Sequence, residues 1–185
     1  NMIVAHEWGH YIHHRLVECG NQACGGMSEG WGDFNALLMS MREGDDMHAT
    51  FALDSYASFD TTGYFGIRRV PYSVDMTRNA LSFRHIGDGA PLPDDHPWSP
   101  SGGSNSEVHN VGEVWCMTLL EARAKLGIAH GFAANEMIMR LAVDGMKLDT
   151  AAEVNFLNER DGILQADMVS NSGANQGALW EAFAK

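Results

Sequence analysis

Apolar residues recur at helical spacing over most of this chain. Val108, Val111, Trp115, Leu119, Ala122 and Leu126 form one stripe, which predicts a helix stopping at Gly127. Phe132, Met137, Ile138, Leu141 and Ala142 predict a helix over residues 130–144, and two more are expected over 151–168 and 176–184. Towards the start, residues 2–17 read as a helix. Phe34, Leu37, Leu38 and Met41 make the inward face of another over 28–42, with Ser28 as its N-cap. A short helix is expected over 47–58. From residue 59 to 106 the pattern breaks down under repeated Gly and Pro, among them Gly63, Gly66, Pro71, Gly87, Pro91, Pro93 and Gly103. An irregular stretch of that length is uncommon in a domain unless it has a function, so it is expected to line or rim a cleft. The fold class is therefore mainly α, a single unit of three parts: 1–58, 59–106 and a helical bundle over 107–185. No internal repeat or heptad pattern is present.

Composition narrows the picture. With 45% hydrophobic residues the chain can bury a core, and no stretch approaches a membrane span. A net charge of −12 argues against nucleic acid as a partner, because phosphates repel an acidic surface. Cys19 and Cys24 flank a short loop, and a local disulfide suits an oxidising compartment; a second zinc site is the alternative, for which two sulfurs alone make a poor cage. Cys116 falls in an apolar helical run and reads as a buried free thiol. The pairs Asp45-Asp46 and Asp94-Asp95 could bind calcium, but without an EF-hand pattern they read better as solvated charges.

The chemistry concentrates near the start of the chain, in His6-Glu7-Trp8-Gly9-His10. Two histidines at i and i+4 share one helix face and can converge on one metal, most often tetrahedral zinc. Glu7 stands beside them as a general base. A third ligand is needed. The metzincin continuation fails, because His13 stands where Gly is required and Leu16 where the third His is required. A straight helix aims His13 away from the convergence point, which makes it a partly solvated side chain. Glu29, in Ser28-Glu29-Gly30-Trp31-Gly32-Asp33, is the better ligand. Asp33, at i+4 from Glu29, could accept the second ring N–H of a zinc-bound histidine.

These residues, with Gly25-Gly26-Met27 before them, resemble the fungalysin family of zinc endopeptidases, relatives of thermolysin in the gluzincin group. Arg68-Arg69-Val70-Pro71-Tyr72-Ser73, Val108-His109-Asn110-Val111-Gly112-Glu113-Val114-Trp115 and the helices ending in Leu179-Trp180-Glu181-Ala182-Phe183-Ala184 resemble later segments of that family. The resemblance implies zinc as cofactor, hydrolysis of polypeptides, secretion and a propeptide. It also implies that residues 1–185 are the largely helical C-terminal part of a catalytic domain, since a β-rich half precedes the zinc helix in that family.

By the same resemblance His109 donates to the oxyanion formed at the scissile carbonyl. Related enzymes place an Asp five residues earlier, where Ser104 stands, so Glu107 or Glu113 is left to orient it. Tyr72 is a second candidate donor. Arg68 resembles the arginine that binds a substrate carbonyl, with Arg69 a surface charge, and Ile3 and Ile67 could wall the pocket for the residue after the cut. Two rivals remain. One is a thermolysin-family peptidase proper. The other is a non-catalytic zinc module, which would need no Glu7 and would prefer four protein ligands.

Overall fold

The computed structural model describes residues 1–94, 97–99, 102–149 and 153–185. Six helices carry the fold: α1 (Met2–Leu16), α2 (Gln22–Ser40), α3 (Val108–His130), α4 (Ala134–Leu148), α5 (Phe156–Asn171) and α6 (Gln176–Phe183). Two single-turn 3-10 segments, Phe83–Ile86 and Gly131–Ala133, complete the helical content of the described residues. No strand is present among them, only isolated bridges between Phe51 and Tyr72 and between Leu53 and Gly66. The fold is mainly helical, as the apolar periodicity predicts.

α2 and α3 are apolar around most of their circumference, and helices of that kind belong at the centre of a domain. Cys24, Met27, Trp31, Phe34, Leu37 and Leu38 of α2 are buried, as are Val111, Trp115, Leu119 and Leu126 of α3. α1 packs on α2, α4 and α6 pack on α3, and α5 packs on α4. The described residues of 59–106, between α2 and α3 in sequence, run without regular elements apart from the Phe83–Ile86 turn.

Several boundaries differ from the sequence reading, each for a local reason. α2 starts at Gln22 because the Asn21 side chain accepts the Cys24 amide, and Asn caps as well as Ser. Ser28 is therefore inside α2 and is not its cap. Residues 47–58 form no helix: Phe51 exchanges both backbone hydrogen bonds with Tyr72, each 2.8 Å, which holds the chain extended there, and turns lie on either side. Gly127 does not stop α3. The Met47 side chain packs over it, and the helix ends instead before Gly131 at φ +57°. α4 accordingly starts at Ala134 and runs to Leu148. α5 begins after Asn155, whose side chain accepts the Leu157 and Asn158 amides; residues 151 and 152 of the expected helix lie outside the described residues.

Glu159 of α5 is a buried carboxyl at 1% exposure. Burial, then the nearby charge of Asp149, pushes its pKa up from 4.5 to about 8. Below pH 4.5 the group is protonated whether the chain is folded or not, and it costs nothing. Between pH 4.5 and 8 the folded state keeps a proton that the unfolded state loses, so stability falls as pH rises, and above 8 the full cost remains. Glu159→Gln removes that cost. The variant is expected to melt higher than the parent at pH 8.5, by several degrees, and to match it near pH 4.5. Parallel melting-temperature profiles for the two proteins would rule this out.

Candidate metal centre

α1 and α2 cross at Gly9 and Gly32. A Cβ on Gly9 would fall 2.8 Å from Gly32 Cα, and one on Gly32 would fall 2.8 Å from His6 Nδ1. Two glycines thus let the helices approach until the His6 ring lies directly on α2. α3 closes in through a second such contact: a Cβ on Gly112 would fall 2.6 Å from Glu29 Cβ. Three helices are thereby drawn around one point, with His6 and His10 from α1, Glu29 and Asp33 from α2, and His109 from the first turn of α3.

The distances define the centre. His6 Nε2 lies 3.3 Å from Glu29 Oε2, and His10 Nε2 lies 3.5 Å from Glu29 Oε1. His6, His10 and Glu29 each offer a ligand atom, all within 4.8 Å of one another. Glu29 Oε2 is buried without a hydrogen-bond partner. Each imidazole is anchored through its other nitrogen: His6 Nδ1 is 2.8 Å from Asp33 Oδ1, and His10 Nδ1 is 2.8 Å from Ser28 Oγ. Anchoring Nδ1 turns Nε2 towards the shared point, as metal-binding histidines require. Two imidazoles and one carboxylate, whose Oε2 is buried without a hydrogen bond, fit a zinc ion with one position open.

The charges are tightly coupled. Burial pulls the His6 pKa down, but Asp33 and Glu29 outweigh it and raise it to about 9. Burial works against the Asp33 carboxylate, yet the Arg68 charge and the His6 contact hold it at about 2. Glu29 is likewise lowered despite burial, through His6 and His109. Burial lowers the pKa of His10.

Asp33 is the hub behind the ligands. It accepts from Arg68 Nε and Nη2, each at 2.6 Å, and from the Tyr72 hydroxyl. Tyr72 is 1% exposed. Its one hydroxyl proton is directed at Asp33. Arg68 also reaches Glu29, with Nη2 3.5 Å from Oε2. Together with Ile67, Glu107, His109 and Asn110 it lines a cavity of about 350 Å³. Ile3 does not line that cavity; it lies 38% exposed on α1, with its amide on Asp54. Glu7 is exposed beside the histidines.

His109 is held by Glu107. Its Nδ1 lies 2.7 Å from Glu107 Oε1, and its Nε2 lies 3.5 Å from Glu29 Oε2. Glu113, the other carboxylate near His109 in sequence, is buried and receives Arg69 Nε at 2.7 Å and the Arg69 amide at 2.6 Å. Arg69 is accordingly no surface charge. It is 2% exposed and also bonds Asn105.

The fungalysin metallopeptidase (M36) family model matches residues 1–185. The chain belongs to the fungalysin family. It is 31% identical over 204 residues to "Extracellular metalloproteinase mep" of Aspergillus terreus, covering 99% of this chain and 29% of that protein. It is 32% identical over 206 residues to "Extracellular metalloproteinase 2" of Arthroderma otae and of Trichophyton rubrum, with the same coverages. The chain thus spans about 29% of the length of these relatives.

Within this fungalysin chain, some neighbours of the centre escaped the sequence reading. Ser28 looks like a cap but touches His10, and its Oγ also lies 3.2 Å from His14 Nε2. Its place one residue before Glu29 was the only available signal. His13, expected to be partly solvated, is 1% exposed, and burial pushes its pKa down to about 4. The Cys19–Cys24 disulfide is present and Cys116 is a buried free thiol. Asp45 accepts the Arg42 amide and Asp46 the His48 amide, both as exposed turn caps; Asp95 of the other acidic pair lies outside the described residues.

Proposed function

We propose that this chain carries the metal centre of a secreted zinc endopeptidase acting on polypeptides. The observation that carries the reading is the convergence of His6, His10 and Glu29, with Glu29 Oε2 buried, without a hydrogen bond and faced by His6 Nε2 at 3.3 Å. His6 Nε2, His10 Nε2 and the Glu29 carboxylate would hold zinc. When bound, zinc supplies a water acidic enough to attack at neutral pH and a Lewis acid for the carbonyl.

Glu7 takes the proton of the attacking water on its carboxylate and returns it to the leaving amine nitrogen. His109, its Nδ1 held by Glu107, turns Nε2 towards the centre and donates to the oxyanion. Asp33 fixes the tautomer of His6 and is itself fixed by Arg68 and Tyr72. Arg68, facing the cavity beside His109, orients a substrate carbonyl. Ile67 in the same cavity favours an apolar residue after the cut. The relatives' names support secretion, and no helix among the described residues is long and apolar enough to cross a membrane. By family resemblance the enzyme is made with a propeptide. Match to the fungalysin model over the whole chain favours this family over thermolysin proper.

Zinc content and casein hydrolysis of the propeptide-processed protein test the reading. About one zinc per chain is expected, with hydrolysis lost on chelation and restored by zinc. Stoichiometric zinc with no hydrolysis of any polypeptide would favour the non-catalytic module, and absence of zinc would end the metal assignment.

A further inference from the structure

His13 is buried at 1% exposure, and neither of its ring nitrogens has a hydrogen-bond partner. Burying a polar ring unpaired is costly, and an apolar side chain would serve the packing at no such cost. The ring is not idle filler in an apolar wall. One His13 nitrogen and the sulfurs of Cys19 and Cys24 all lie within 4.8 Å of one another. The two sulfurs are joined in a disulfide, and disulfide sulfur is at best a weak acceptor. Cys24 is fully buried in the first turn of α2, with its amide on Asn21, while Cys19 in the preceding loop is partly exposed. A reductant can therefore reach the bond from the Cys19 side, and the start of a helix stabilises a thiolate at Cys24.

We propose that reduction of the Cys19–Cys24 disulfide creates a second metal site, in which both sulfurs and His13 bind a thiophilic ion, Zn²⁺ or Cu⁺. The sequence alone offered two sulfurs, too few for a cage; the buried imidazole supplies the third donor. A small dithiol is the reductant. Two electrons and two protons pass to Cys19 and Cys24, the S–S bond breaks, and the dithiol closes into its own disulfide. The incoming ion then displaces the two thiol protons, and His13 contributes the lone pair of a neutral nitrogen. Thiolate and imidazole donors select Zn²⁺ and Cu⁺ over hard cations. Metal–sulfur and metal–nitrogen distances of about 2.3 and 2.1 Å at tetrahedral angles set the donor atoms roughly 3.6–3.8 Å apart, so the two sulfurs separate by side-chain rotation once the bond between them is broken. The site stands apart from the centre of His6, His10 and Glu29, which has no sulfur.

Anaerobic titration of the reduced protein with Co²⁺ tests this. The His6–His10–Glu29 centre cannot give a thiolate-to-cobalt charge-transfer band, so that band reports the second site alone. The reduced protein is expected to show the band at about one Co²⁺ per chain, the oxidised protein to lack it, and reduced Cys24→Ser, which keeps Cys116, to lack it as well. His13→Ala weakens Co²⁺ binding at this site by at least about tenfold. Zn²⁺ or Cu⁺ displaces the band, and the ion effective at the lower concentration names the occupant. Circular dichroism checks that each variant is folded; if His13→Ala is not, His13→Gln is read instead. Absence of a sulfur band in the folded, reduced protein overturns the proposal, and so does an unchanged affinity in the His13 variant.

Discussion

Glu7→Gln is expected to leave zinc at about one ion per chain while casein hydrolysis falls by about 10²–10⁴-fold. The two readouts separate because Glu7 stands apart from the ligand cluster. It is exposed, whereas His6 is buried and His10 and Glu29 are partly buried. Glutamine keeps the shape and hydrogen-bonding capacity of the side chain but cannot take up the proton of an attacking water. Binding of substrate should change little, so the loss falls on kcat rather than KM. Zinc lost together with activity would instead make Glu7 part of the metal-holding set. Activity retained within tenfold would remove it as the base, and with it the chemistry proposed here.

Asp33→Ala is expected to have the other large effect, on folding as well as on metal. Asp33 is fully buried and receives two hydrogen bonds from Arg68 and one from Tyr72, and it faces His6 Nδ1. Removing it leaves the Arg68 guanidinium buried with only a 3.5 Å contact to Glu29. Breaking a buried ion pair from one side costs about 3–5 kcal/mol. The His6 ring also loses the group that sets its tautomer, which lowers zinc affinity by about 10–100-fold. Urea unfolding of the metal-free protein reads the first effect, and competition with a zinc chelator reads the second. Glu29→Ala supplies the contrast: it should lose zinc with far less loss of fold, because Glu29 Oε2 has no hydrogen bond to forfeit. Equal destabilisation by the two variants would mean that Asp33 is no more a structural hub than the ligand in front of it.

The parts that were legible in the sequence are those set within a few residues. Spacing of i and i+4 is enough to put His6 with His10, and Glu29 with Asp33, on shared helix faces. Apolar periodicity likewise placed α1, α3 and α6 close to their observed spans. The misreadings came where a distant contact outweighed a local cue. Gly127 resembles a helix stop until Met47 is found packed against it. Residues 47–58 form turns about an extended Phe51, which Tyr72 holds in place of a helix. Ser28 has the chemistry of a cap, and α2 simply begins about two turns earlier at a better-placed Asn21.

Sequence by itself determined the helical class and which candidate side chains share a helix face, because helix geometry turns residue spacing directly into direction. It could not determine what stands behind the ligands. Asp33 meets Arg68 and Tyr72, and Arg69 meets Glu113, across separations of 35 to 44 residues, through a segment with no regular periodicity to project. The burial of His13 against the disulfide likewise depends on how closely α1 and α2 approach. Those partnerships were decided by tertiary structure, since a buried charge takes whichever opposite charge the packing of Gly9 on Gly32 and Gly30 on Gly112 brings within reach.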